Sequence, residues 1–291
     1  MQQLLAVIDH GEAAQRVVRV AARWAQRSGA QLSVFLPVAL SMPKGLELGP
    51  GLLATVEHTS EMEAMDWLQT FLEQHHIAAE QHAAASRHWV RAIQHEVERM
   101  QPDLVFIAPD VAPKAGCWKQ LLRQLARPTY IVHQDIVPQH FRVAISCLPD
   151  DVPHSLLNDA LLGWGQRLAQ LWQGDLWVSS ALPSPLEMAP MVGETYAVGY
   201  VEASMQDAMR QGLQELLQTH GVPVERLTTG VGSIEAVLLQ QQAQQAADCL
   251  LVGTVARSAL SAFLVGNSAE VLEKRLPCDL LLLHPQDLQE D

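Results

Sequence analysis

Basic residues are scarce in this chain: 19 Lys and Arg stand against 32 Asp and Glu, for a net charge of −13. No basic stripe is available to neutralise phosphates along a nucleic acid, and the same charge disfavours an anionic membrane surface. Long apolar runs are missing too. None approaches the roughly 18–20 residues that a membrane helix needs. The opening MQQLLAVIDH carries no basic stretch and runs straight into a strand pattern, so the expectation is a cytoplasmic protein without a signal peptide. Cys117, Cys147, Cys249 and Cys278 are far apart and form no CxxC pair, which favours reduced, buried thiols over redox centres. Catalytic signatures are equally thin. The chain has no GxxxxGK[ST], no HExxH and no GxSxG. Gly163-Trp-Gly165 and Gly230-Val-Gly232 lack the third glycine of GxGxxG, and none of the 12 histidines sits at zinc spacing. His10, His88, His133 and His284 read as strand-end or surface residues.

What is present is apolar and periodic. Hydrophobic residues make up 48% of 291, enough for two buried cores of ordinary domain size. Leu4–Ile8 is a short apolar run, followed by a helical stripe over Ala13–Arg27 that Ser28-Gly29 closes. Gln31–Val38 reads as a strand stopped near Pro37, Leu52–His75 as a long helix, and Ile77–Ala85 as a weak edge strand. Trp89–Met100 is helical, Asp103–Ala108 a buried strand, Trp118–Ala126 helical, and Thr129–His133 a last strand. The cycle then restarts at Phe141–Cys147, with a helix over Ser155–Trp172 and a strand over Asp175–Ala181. An apolar insertion, Leu182–Tyr200, reads as a lid or partner-binding arm, or as a loop packed on its own domain. A helix over Ala203–His220 and a strand over Val224–Thr228 follow, then Gly230–Ser233 capping a helix that reaches Ala247. Strands alternating with helices predict a parallel, doubly wound sheet.

The restart is an internal duplication. Asp103-Leu-Val-Phe-Ile-Ala108 aligns with Asp248-Cys-Leu-Leu-Val-Gly253, 145 residues on, and Pro128 aligns with Pro277, 149 residues on. Two domains are expected, 1–138 and 139–291.

The stretch from Asp248 to Pro285 carries the most chemistry. An apolar run stops at Gly253, a small-residue loop follows, and Gly266 precedes Asn267, Ser268 and a helical pattern that leads to Pro277 and the run Asp279–Leu283. Strand, glycine loop, helix and strand form a βαβ unit whose loop lies where open α/β sheets bind ligands. A helix N-terminus there offers free N–H groups to an anion. In one reading Gly253 admits a phosphate and Gly266, Asn267 and Ser268 cradle it; in the other Gly253 ends a strand, while Asn267 or Ser268 caps a helix.

Gly253-x2-Ala256-x9-Gly266-Asn267-Ser268 resembles the nucleotide loop of the universal stress proteins, whose ATP-binding members carry Gly-x2-Gly-x9-Gly-Ser/Thr. The closing AEVLEKRLPCDLLLLHP and the segment GTVARSALSAFLVGNSAE are similar to the tandem, two-domain branch of that family. Ala256 replaces the second glycine, and Asn267 stands where the first Ser/Thr would be. The resemblance implies tandem Rossmann-like α/β domains, each a five-stranded parallel sheet of order 3-2-1-4-5 flanked by helices. It implies a ligand site over Gly253, Thr254, Ala256, Arg257, Gly266, Asn267 and Ser268 for ATP, another adenine nucleotide or an altered ligand. The family's nucleoside-contacting Asp matches Asp9 in the first half, whereas the second half has Ser146-Cys147-Leu148 there. The first half in turn has Ala108–Gly116 in place of the phosphate loop. The expected function is a non-enzymatic stress-response protein with a small-molecule ligand in its second half. A ligand-free interaction scaffold is the alternative, and a weak ATPase ranks last because no general base stands beside the loop. No nucleic acid or membrane partner is expected, and no residues are assigned as metal ligands. The family pairs single domains through their last strands, so the two halves are expected to form an internal pseudo-dimer.

Overall fold

The computed structural model describes residues 1–40, 49–125, 127–147, 152–184, 198–253 and 275–284. The chain divides into two compact units, Met1–Val137 and Pro138–Asp291.

In the first unit, β1 (Gln3–Val7) leads into α1 (Ala13–Ser28), β2 (Gln31–Ala39), α2 (Pro50–Gln74) and β3 (Glu80–Ser86). Then come α3 (Trp89–Met100), β4 (Leu104–Ile107), a 3-10 turn at Pro109–Val111, α4 (Ala115–Gln124) and β5 (Thr129–Ile131). The strands are parallel and ordered β3-β2-β1-β4-β5. Helices cover both faces of such a sheet, so its central strands can be apolar throughout rather than alternating. Leu4 to Ile8 and Leu104 to Ala108 are accordingly fully buried. Trp24 of α1 fills the space over the sheet, its ring centroid 5.5 Å from Phe106 and 5.0 Å from Tyr130. Gly29, at φ 72°, takes the left-handed turn that ends α1 and donates its N–H to Ala25.

The second unit repeats the pattern. It runs β6 (His140–Ala144), α5 (Val152–Trp172), β7 (Asp175–Leu182), α6 (Val198–Thr219), β8 (Leu227–Val231), α7 (Ile234–Gln244), β9 (Cys249–Gly253) and β10 (Asp279–Leu283). Its order, β8-β7-β6-β9-β10, again parallel, is that of the first unit.

Three local readings are corrected. β2 does not stop at Pro37 but continues to Ala39. Ile8 donates to the carbonyl of Phe35, so Phe35 and Pro37 both turn their backbone groups toward β1, which ends at Val7. The amide that proline lacks therefore falls past the end of that ladder, and nothing is lost. The strand placed at Val224–Thr228 begins only at Leu227, after a 3-10 turn, and includes Gly230. Gly230 is there for close packing: a Cβ on it would lie 2.8 Å from Cγ2 of Val237 on α7. Ser233 alone caps α7, accepting from the amide of Ala236 at 3.3 Å. Finally, β7 extends to Leu182 and α6 starts at Val198, which shortens the insertion; residues 185–197 lie outside the described residues.

Candidate functional site

In each unit the strand order reverses direction at one place, between β1 and β4 in the first and between β6 and β9 in the second. Successive connections leave these neighbouring strands on opposite sides, opening a crevice at their carboxyl ends. Asp9 follows β1, and Gly253 closes β9. Both thus stand at the crevice of their own unit. Thr254, Ala256, Arg257, Gly266, Asn267 and Ser268 lie outside the described residues, as does Leu148.

In the first unit the residues at the crevice contact one another. Asp9 turns its Oδ1 back onto the amide of Gly11 at 2.9 Å, an Asx-type turn. His10 packs edge-on against Trp67 of α2, with centroids 4.6 Å apart, and Trp67 stacks on Phe71 at 4.9 Å. Where a phosphate loop would follow β4, the chain makes the tight turn Pro109–Val111, closed by Val111 N–H to the Ala108 carbonyl at 3.1 Å, with Val111 buried. Asp110 reaches Arg16 of α1 at 3.5 Å. His133, beyond β5, is held below the usual imidazole range by burial first and by the Arg16 charge second, with Asp110 opposing.

The second crevice is built differently. Gly253 is buried, and the space a Cβ would need is filled by Leu157 of α5, whose Cγ would lie 2.6 Å away. The missing side chain therefore admits a helix side chain, a role that strand-end reasoning does not reveal. At the end of β6, Asn158 of α5 clamps Ser146 from both sides, accepting its N–H at 3.0 Å and donating to its carbonyl at 2.8 Å. Cys147 donates its thiol to the Ala181 carbonyl at 3.1 Å, and burial pushes that thiol up. Ser180 donates to the Ile145 carbonyl at 2.9 Å. Where Asp9 follows β1 in the first unit, this unit has an internally bonded neutral cluster after β6.

Sequence reasoning also passed over Arg142, a charge inside the apolar run of β6. It is 2% exposed. Its Nη1 donates to Ser179 at 2.9 Å, Gln241 at 3.2 Å and Thr228 at 3.3 Å, and its Nη2 donates to the Gln245 carbonyl at 2.9 Å. Gln245 is the residue just past α7, so the guanidinium meets the negative end of that helix rather than a carboxylate. Burial lowers its pKa. The nearby Cys278 thiol is pushed up to about 12, by burial first and by Asp279 and Asp248 next, which leaves it protonated and unreactive. His284, after β10, is lowered by burial to about 4. Among the described residues the four cysteines are free, and no group of three His, Cys, Asp or Glu side chains is placed to hold a metal ion. No described helix is long and apolar enough to cross a membrane.

Residues 148–284 match the Universal stress protein family. Universal stress protein E of Photorhabdus laumondii is 27% identical over 304 aligned positions, covering 99% of this chain and 96% of that protein. The Universal stress protein E homolog of Haemophilus influenzae is 29% identical over 170 positions; there the match spans 57% of this chain and only 55% of the relative's length. Among solved structures, a functionally unknown protein from Pseudomonas aeruginosa PAO1 superposes with a TM-score of 0.71 at 20% identity, covering 99% of this chain and 94% of that one. A universal stress protein from Archaeoglobus fulgidus gives 0.63 at 13% identity, over 97% and 96%. At such identities the likeness speaks for the fold.

Proposed function

We propose, for a chain that belongs to the universal stress protein family, a non-enzymatic stress-response role in the cytoplasm, with a small ligand bound at the second unit's crevice. The ligand is ATP, another adenine nucleotide, or an altered ligand with an anionic group. The observation that carries this reading is the position of Gly253 at the carboxyl end of β9, beside β6 at the reversal of strand order. The chain continues from that point as Thr254-x-Ala256-Arg257-x8-Gly266-Asn267-Ser268, where glycine and short polar side chains favour an anion. The first unit is the poorer host, because the turn Pro109–Val111 and the Arg16–Asp110 pair occupy the equivalent place. The proposal includes pairing of the two halves within one chain, argued from last strands that are apolar apart from Asp279 at the start of β10.

The test is equilibrium dialysis of the full chain against ATP, followed by crystals soaked in the same nucleotide. The expected outcome is binding in the second unit alone, lost in Gly266→Val while the circular dichroism spectrum is unchanged. Nucleotide found at 108–116, or equal affinity in the variant, would overturn it. A ligand-free interaction scaffold is the second reading. The neutral cluster of Ser146, Cys147 and Asn158, where a nucleoside-contacting carboxylate would be expected, favours it. No retention of nucleotide by the parent chain would select that reading.

A further inference from the structure

The first unit's sheet ends on β3, a seven-residue strand without proline. In a parallel strand the N–H and C=O of one residue point the same way, and successive residues alternate sides. The Ser86 carbonyl accepts from Leu40, the residue after β2, so Ser86, Ala84, His82 and Glu80 turn their backbone groups inward. Gln81, Ala83 and Ala85 turn theirs to the open edge. Among the described residues one of these outward groups has a partner: the Ala85 N–H donates to Oε1 of Glu61, on α2, at 3.1 Å. A carboxylate reaching from a helix onto a strand's outer edge occupies a position that an added strand would need.

Among the described residues the edge has few other defences. Charge, proline and bulges are the usual devices that keep sheet edges from pairing with another chain. Here the two ionisable side chains of β3 are engaged with each other and with α3. His82 lies 3.3 Å from Glu80 and 3.7 Å from Glu96, and Arg99 holds Glu96 at 2.6 Å. We propose that Glu61 guards this edge against strand addition by a second copy of the chain. Antiparallel pairing of β3 with itself about Ala83 sets Ala83 opposite Ala83, Gln81 opposite Ala85, and Glu80 opposite Ser86, so no like charges meet. By two-fold symmetry, one carboxylate per chain removes both Gln81–Ala85 pairs and leaves only the central one.

The substitution Glu61→Ala removes the guard and favours the helix, so the fold survives it. The expected result is exchange of the Ala85 amide faster by tenfold or more in dilute protein, together with concentration-dependent dimers in sedimentation velocity. Adding Ala83→Pro removes the central outward N–H without touching the β2 ladder, and it should return the double variant to the parent's sedimentation. Two results would overturn the proposal: a Glu61→Ala variant that sediments like the parent at every concentration, or dimers that persist with proline at position 83.

Discussion

At the scale of single residues, Gly253 separates a packing role from a binding role. Its Cα is covered by Leu157, which is 4% exposed. Adding one methyl there forces an overpacked core, at a cost of about 1–3 kcal/mol. Gly253→Ala should therefore lower the urea midpoint with an unchanged slope, and Gly253→Ala with Leu157→Ala should recover part of that loss. Ligand affinity measured on the double variant then isolates the loop from the packing. A stability of Gly253→Ala equal to that of the parent would show that Leu157 can move aside. The glycine itself was legible in the sequence as a strand terminus; its neighbour was not, because Leu157 lies 96 positions earlier and only the β6–β9 pairing brings α5 over it.

At the scale of elements, apolar runs and glycine punctuation located the strands and helices, since each is a local pattern. They were less informative where a backbone group's partner decides the structure. Pro37 sits inside β2 because β1 has already ended, and Gly230 belongs to β8 because α7 packs closely on it. The duplication, visible as Asp103 aligned with Asp248, acquires a physical reason. Each carboxylate accepts the first amides of a neighbouring strand, Gln2 and Gln3 for Asp103, Gln139 and His140 for Asp248. The halves differ at Arg142, whose four acceptors come from β7, β8 and the end of α7. Lysine carries one compact ammonium and cannot span Ser179, Gln241 and the Gln245 carbonyl together. Arg142→Lys should cost about 2–4 kcal/mol in denaturant unfolding, with amide exchange rising across α7 before it rises in β6. Unchanged stability would mean that the neutral oxygens satisfy one another without the guanidinium.

At the scale of the whole molecule, the candidate site is where the sequence says more than the fold does. The strand order and the crevice follow from alternation of strands and helices, whereas the identity of a ligand rests on a loop of which Gly253 is the only described member. The proposed pairing of the two halves can be tested without any ligand. Thr129–Ile131 and Asp279–Leu283 are the last strands of their units, and between them they carry one ionisable acid, Asp279, at the start of its strand; the leucines that follow are uncharged. Cut from its other half, each unit would present an apolar strand with little charge to discourage association. Fragments 1–138 and 139–291 should therefore form dimers or insoluble protein when expressed singly, and mixing them during refolding should yield a soluble one-to-one complex. Analytical ultracentrifugation distinguishes the outcomes. Either fragment remaining monomeric at high concentration, with no affinity for the other, would remove the basis for an internal pseudo-dimer.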